Sequence, residues 1–169
     1  MRLYLAAFAV VTILASATVV PLIGAPGLTA AETERKVPRF VSLRANEVNL
    51  RTGPGRRYPI EWVYHKRGLP IEITAEFDKW RRVRDHEGAT GWVHQSLLSG
   101  RRNALITEAR LLRSKPDDDA RPLARLSPGV LAELISCSEN WCRLEVNNLR
   151  GWIRQDQFFG ALAGESVGN

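Results

Sequence analysis

Apolar and polar positions along this chain fall into two regimes. Residues Leu3 to Val20 are almost wholly apolar, whereas beyond residue 40 apolar positions alternate with polar ones over short stretches. In L-P-I-E-I-T-A (Leu69 to Ala75) β-branched side chains recur at every second position, and R-R-V-R-D (Arg81 to Asp85) alternates around Val83. Alternation at period two predicts half-buried strands. After the turn-rich H-E-G-A-T, Gly91-Trp92-Val93 begins another short strand. The same series returns as V-L-A-E-L-I (Val130 to Ile135), C-R-L-E-V (Cys142 to Val146) and G-W-I-R (Gly151 to Arg154). No window carries a sustained helical stripe, so the pattern predicts an all-β fold of small barrels or sandwiches.

The return of the series is a duplication. The first copy reads N-L-R-T-G-P-G (Asn49 to Gly55), D-K-W-R-R-V (Asp78 to Val83) and G-W-V-H-Q-S-L-L (Gly91 to Leu98). The second reads L-L-R-S-K-P-D (Leu111 to Asp117), E-N-W-C-R-L (Glu139 to Leu144) and G-W-I-R-Q-D-Q-F (Gly151 to Phe158). The offset falls from 62 at Arg51/Arg113 to 61 at Trp80/Trp141 and 60 at Trp92/Trp152, as expected when loops shorten while buried positions keep register. Two domains follow, at residues 40–102 and 103–160, with a short tail at 161–169. Each is near the lower size limit for an independent core. The linker Gly100-Arg101-Arg102-Asn103 is so short that the two are expected to touch.

Residues 1–31 belong to neither copy. A positive start, an apolar stretch and small residues ahead of Glu32 to Lys36 form the order of a secretory signal peptide, with Ala30 or Ala31 and the Ala15-Ser16-Ala17 stretch both fitting cleavage. The alternative is a retained membrane anchor through residues 3–23. Either way the folded part is expected to be exported, to the periplasm or beyond the cell. An oxidising compartment allows Cys137 and Cys142, which flank S-E-N-W between two strand patterns, to form a hairpin disulfide; two free buried thiols are the alternative. At the matching positions the first copy has Glu76 and Arg81, an opposite-charge pair.

Net charge is +6, unevenly shared: 12 Lys and Arg stand against seven Asp and Glu from 40 to 102, and eight against eight from 103 to 160. The surplus suits an anionic lipid or polymer of the envelope, through Arg56, Arg57, Arg81, Arg82, Arg84, Arg101 and Arg102; nucleic acid lies elsewhere.

The order N-L-R-T-G-P-G, a glycine before paired apolar strands, the central Trp80 and the closing Gly91-Trp92-Val93 resembles the bacterial SH3 (SH3b-type) domain family, here in tandem. The resemblance implies partly open barrels of five to six strands that bind rather than catalyse, commonly beside cell-wall hydrolase domains or alone in the envelope, with peptidoglycan peptides among their ligands. Carried over by position, Asn49, Arg51 and Thr52 shape the first loop, and Tyr58, Trp80 and Trp92 are candidates for its aromatic surface, with core packing the competing role, favoured for Trp92 and Trp152. The second copy departs from the pattern: Leu111 replaces Asn49, Lys115 replaces Gly53 and Asp117 replaces Gly55. Gly53 and Gly55 can take positive φ, a conformation that Lys115 and Asp117 disfavour, so the second loop is expected to fold differently, which counts against binding there.

Catalytic constellations are not visible. G-x-S-x-G is absent, the cysteines are read as paired, and His65, His86 and His94 lack ligand-like spacing. Asp117-Asp118-Asp119 lacks the glycine and distal Glu of a calcium loop, so no metal and no cofactor are expected. After Gly160 only A-L-A-G-E-S-V-G-N remains, leaving no room for a hydrolase domain and reading as a disordered tail. The favoured expectation is a non-catalytic module for a cell-wall peptide or glycan-peptide, Arg pairing with its carboxylates beside stacked aromatic rings. A scaffold for another envelope protein is the alternative.

Overall fold

A computed structural model describes residues 35–168, which form one compact all-β unit. The signal-peptide expectation lies outside the described residues. The first half comprises β1 (Arg39–Leu43), β2 (Val48–Arg51), β3 (Ile60–Tyr64), β4 (Pro70–Phe77), β5 (Trp80–Arg84), β6 (Thr90–His94) and, after a 3-10 turn at Gln95–Leu97, β7 (Leu98–Ser99). The second comprises β8 (Asn103–Leu105), β9 (Arg110–Arg113), β10 (Pro122–Leu126), β11 (Leu131–Ser138), β12 (Trp141–Val146) and β13 (Leu149–Arg154), followed by a 3-10 turn at Gln155–Gln157. The strands form two antiparallel sheets, ordered β3-β2-β6-β5-β4-β1-β7 and β10-β9-β13-β12-β11-β8. Each is an SH3-like, partly open barrel. The first has seven strands, more than the resemblance implies, because the chain leaving its 3-10 turn pairs Leu98 with Leu43 before crossing over.

Period-two alternation builds both cores. Leu50, Ile71, Ile73, Val83 and Val93 are fully buried in the first, and Leu112, Leu144 and Ile153 in the second. In β6 the inward positions are Gly91 and Val93, leaving Trp92 on the opposite face and only half-buried. This corrects the expectation that Trp92 and Trp152 are core: the core role beside them belongs to the glycine. A Cβ on Gly91 would stand 2.6 Å from Leu50 Cγ, and one on Gly151 2.5 Å from Leu112 Cγ. Gly68 and Gly129 take φ of 81° and 82° in the turns before β4 and β11, a region that L side chains disfavour.

The two barrels share packing. Leu105 joins the first core together with Leu131 and Phe159 of the second half, and the Phe159 ring meets Phe40 edge to face at 4.9 Å. Asn103 Nδ2 donates to the Gly68 carbonyl at 2.7 Å, and Lys66 Nζ to the Gly129 carbonyl at 2.6 Å. The C-terminal segment is docked rather than loose, contrary to the expectation of a disordered tail. Cys137 donates its amide to Val167 O at 2.8 Å, while Gln155 Nε2 donates to the carbonyls of Leu162 and Glu165 at 2.8 and 2.9 Å. Glu165 pairs with Arg102 at 2.6 Å. Composition alone hid this, because the partners are distant in sequence.

The hairpin clips take the expected forms. Cys137 and Cys142 are directly opposed on β11 and β12 and joined as a disulfide. On β4 and β5 the matching residues Glu76 and Arg81 are also opposed and form an ion pair at 3.2 Å, to which Arg39 adds a second cation.

Candidate functional site

The loop from Thr52 to Pro59 connects β2 to the edge strand β3, and Arg51 organises it from its base. Arg51 Nη1 donates to the Tyr58 carbonyl at 2.7 Å and to that of Arg56 at 3.2 Å. The loop backbone adds Thr52 N–H to Pro59 O, Gly55 N–H to Gly53 O and Tyr58 N–H to Gly55 O. Arg51 is thus a clamp, satisfying carbonyls that would otherwise be stranded in a turn.

The second copy makes four of these five bonds. Arg113 Nη1 donates to the Ala120 carbonyl at 3.0 Å, Ser114 N–H to Arg121 O, Asp117 N–H to Lys115 O and Ala120 N–H to Asp117 O. The loop that was expected to fold differently thus keeps the same backbone hydrogen bonds, and only the bond to the Arg56 carbonyl has no counterpart. The expectation failed because Gly53 and Gly55 do not take positive φ. Their smallness serves the neighbour instead: a Cβ on Gly53 would sit 2.4 Å from Tyr58 Cδ1. In the second copy Ala120 replaces that tyrosine, so Lys115 is tolerated where Gly53 stood. Glycine and aromatic ring are exchanged together.

Beside this loop lies a groove of about 190 Å³, lined by Asn49, Arg51, Arg56, Trp80, His94, Ser96 and Leu97. Asn49 and Arg51 come from β2, Trp80 opens β5, and His94 closes β6 directly across from Trp80. The two rings meet edge to face, 5.3 Å between centroids at 82°. His94 Nδ1 lies 2.7 Å from Ser96 Oγ and accepts the Ser96 amide at 3.3 Å. With Nδ1 engaged by Ser96, Nε2 is the ring nitrogen without a hydrogen-bond partner among the described residues. Among the described residues Arg56 forms no ion pair, and its side chain is exposed.

The groove brings Asn49, Arg51 and Trp80 together but not the other three sequence candidates. Thr52 is exposed at the head of the loop, Tyr58 packs on Gly53 with the Arg57 guanidinium 5.2 Å over its ring, and Trp92 stands across from Arg51 and Arg82. Sequence reasoning missed His94, Ser96 and Leu97 and took Arg56 only as part of a charge surplus. The missing signal was register: with strands β5 and β6 consecutive, the residue opposite Trp80 is near the end of the closing strand.

At the equivalent place in the second barrel the groove is latched. Trp141 stands opposite Arg154, whose guanidinium lies 4.9 Å over its ring. Arg154 Nε donates to Asp118 at 3.0 and 3.1 Å, and its Nη2 adds a further bond, tying β13 to the loop. That hydrogen bond holds the Asp118 carboxyl below its ordinary range. A depression of about 370 Å³ is lined by Asn140, Arg154, Gln155, Asp156, Phe158 and the C-terminal residues Ala161, Ala163 and Gly164, and Trp141 is not among them.

The arginine surplus is partly neutralised. Arg81 is held by Glu76 and Gln95, Arg84 by the buried Glu72, and Arg102 by Glu165. Another apparent candidate is structural: buried Asp85 accepts from Tyr64 OH at 2.9 Å and from the amides of Glu87 and Ala89. Burial and then the bond to Asp85 raise the Tyr64 phenol well above its ordinary value. The second copy puts Leu126 and Val146 there instead.

Two small antiparallel barrels, each with a loop clamped by an arginine and a tryptophan opening the second strand of its longest hairpin, define a tandem of SH3-like domains. The bacterial SH3 domain profile matches residues 44–100 and 108–158, and the chain belongs to that family. It is 23% identical over 141 residues to “Putative N-acetylmuramoyl-L-alanine amidase YrvJ” of Bacillus subtilis, covering 76% of this chain and 26% of that protein. Among solved structures it is similar to NlpC1 from Trichomonas vaginalis, at 12% identity and a TM-score of 0.34 over 76% of this chain and 48% of that one. It is also similar to an NlpC/P60 family protein from Bacillus cereus, at 15% identity and a TM-score of 0.33 over 72% and 57%. The chain thus spans about a quarter of the curated relative and about half of these structures.

Proposed function

We propose that the protein is an exported, non-catalytic binding module of the cell envelope, whose first barrel takes peptidoglycan peptides in the groove beside Trp80. The observation that carries this reading is the open groove itself. Asn49 offers amide donors and acceptors, Trp80 an aromatic wall and Arg56 an unpaired cation, a combination suited to a short polar peptide with acidic groups. Family membership and a relative named as an amidase of N-acetylmuramoyl-L-alanine favour a wall ligand. The disulfide at Cys137 and Cys142 favours an oxidising compartment.

Co-sedimentation with purified peptidoglycan tests the proposal. The chain should pellet with the wall, and the Asn49→Ala/Trp80→Ala double variant should stay in solution. Wild-type protein that remains soluble, or a variant that pellets equally, would count against it. Export is tested separately by sequencing the N-terminus of protein recovered from the envelope.

One observation favours a second reading, a scaffold for another envelope protein. Ile60 and Trp62 on the edge strand β3 are 47% and 57% exposed, an apolar pair beside unpaired backbone groups. Crosslinking in cells separates the two, since a protein partner gives discrete adducts and a wall polymer does not.

A further inference from the structure

The second barrel contains, within its own chain, a picture of what the first barrel's groove is shaped to hold. Trp80 and Trp141 each open the second strand of a hairpin, β4–β5 or β11–β12, and each faces the last residue of the closing strand, His94 or Arg154. Each closing strand runs directly into a 3-10 turn. Because the two loops share their backbone hydrogen bonds at a constant offset of 62 residues, Arg56 and Asp118 hold equivalent places in them.

At that place the second barrel positions a carboxylate. Asp118 meets Arg154, which itself covers Trp141, and anion, cation and ring satisfy one another. In the first barrel the acidic member is gone. Arg56 replaces Asp118 and His94 replaces Arg154, so a guanidinium and an imidazole flank the tryptophan, and among the described residues no carboxylate pairs with either. Ser96 occupies His94 Nδ1 and leaves Nε2 as the ring nitrogen open to a ligand.

We infer that the first barrel's groove is a carboxylate site, in which His94 and Arg56 hold an external carboxylate beside Trp80 where the second barrel uses its own Asp118. The inference rests on the wall-peptide reading for the identity of the natural ligand, and adds which part of it is recognised: a free carboxylate at a chain end or on a side chain. A groove of about 190 Å³ suits such a terminus better than a folded surface. In the second barrel the same contact is made internally, which makes that barrel self-blocked.

The test uses the full chain and two probes. Soluble muropeptides are titrated in their native form and after conversion of their carboxylates to amides, with binding read calorimetrically. Sodium acetate is titrated against sodium chloride at matched ionic strength, read at the indole N–H resonance of Trp80. Amidation should weaken muropeptide binding about tenfold or more, the loss expected for a charge-assisted hydrogen bond. Acetate should shift the Trp80 resonance saturably, and the Arg56→Asp/His94→Arg variant should abolish that shift. This variant installs residues that the second barrel already accommodates, and far-UV circular dichroism checks its fold. Amidated muropeptides that bind as tightly as the acids, or an acetate titration that leaves Trp80 unmoved, would overturn the inference. If acetate binds as expected but neither muropeptide form does, the carboxylate site stands and the wall-peptide reading falls.

Discussion

Substituting Gly53 with alanine should destabilise the protein through a single neighbour, and removing that neighbour should cancel the effect. An alanine Cβ would lie 2.4 Å from Tyr58 Cδ1 and 2.6 Å from Cε1 and Cγ, a clash along one face of the ring. Backbone strain plays no part, since Gly53 is not in the left-handed region. Overpacking of this kind costs about 1–3 kcal/mol, because the ring must leave its seat on the loop. Tyr58→Ala removes the obstacle and some half-buried aromatic surface, at a cost of about 1 kcal/mol. In the Gly53→Ala/Tyr58→Ala variant the overpacking cost should vanish, leaving a coupling of about 1–3 kcal/mol in a double-mutant cycle. The second barrel is already built in this way, with Lys115 and Ala120 at the two positions. Equilibrium unfolding in urea of the four proteins measures the cycle. Additive effects, with Gly53→Ala equally damaging in both backgrounds, would refute the claim that the glycine serves the tyrosine and would return the loop to a backbone explanation.

Further outcomes follow from the same structure. Arg51→Ala and Arg113→Ala should each cost about 1–3 kcal/mol in denaturant, because each removes donors from loop carbonyls; a change in one barrel alone would contradict the equivalence of the two clamps. Reducing Cys137–Cys142, which closes a short hairpin loop, should lower stability by about 2 kcal/mol on chain-entropy grounds, as the difference between oxidised and reduced samples in thermal unfolding. Burial pushes the Glu165 carboxyl up, but the bonds from Arg102 and the Leu162 amide outweigh it and hold it below its ordinary 4.5. A carboxyl with a depressed folded value stabilises fully above its unfolded value and loses that contribution as pH falls through the folded one. Docking of residues 160–168 should therefore be intact above pH 4.5 and weaken below it, with the hydrogen-exchange protection of the Val167 amide, taken relative to its intrinsic rate, falling in acid and already lowered at neutral pH in Glu165→Gln. Asp118→Ala should unlatch the second barrel and make the Trp141 indole resonance sensitive to acetate, as Trp80 is expected to be; an unmoved resonance would mean that the latch does not block a site.

Much of the fold was legible because it depends on local alternation and on the duplication. Val83, Val93, Leu144 and Ile153 declare themselves as inward positions by their spacing, and the opposed pairs Glu76/Arg81 and Cys137/Cys142 follow from aligning the copies. The site was only partly legible. Asn49, Arg51 and Trp80 were found through the loop and the tryptophan, yet His94 reaches the groove by cross-strand register, which spacing does not reveal. Trp92 was misread because its place after a glycine at the start of a strand suggested core packing, whereas Gly91 takes the inward position against Leu50. Reading Gly53 and Gly55 as backbone devices led to the wrong conclusion about the second loop. Their reason lies in one aromatic ring, and its loss in the other copy is visible only once ring and glycine are seen in contact. The C-terminal residues looked free because Arg102 and Cys137, which help hold them, are written far away.

The central claim is that the first barrel binds and the second is latched. Isothermal titration of soluble muropeptides into the wild type, Trp80→Ala and Trp141→Ala tests it most directly. One site on the wild type, lost with Trp80→Ala and kept with Trp141→Ala, is the expected result. Binding that survives Trp80→Ala, or that depends on Trp141 instead, would contradict the account.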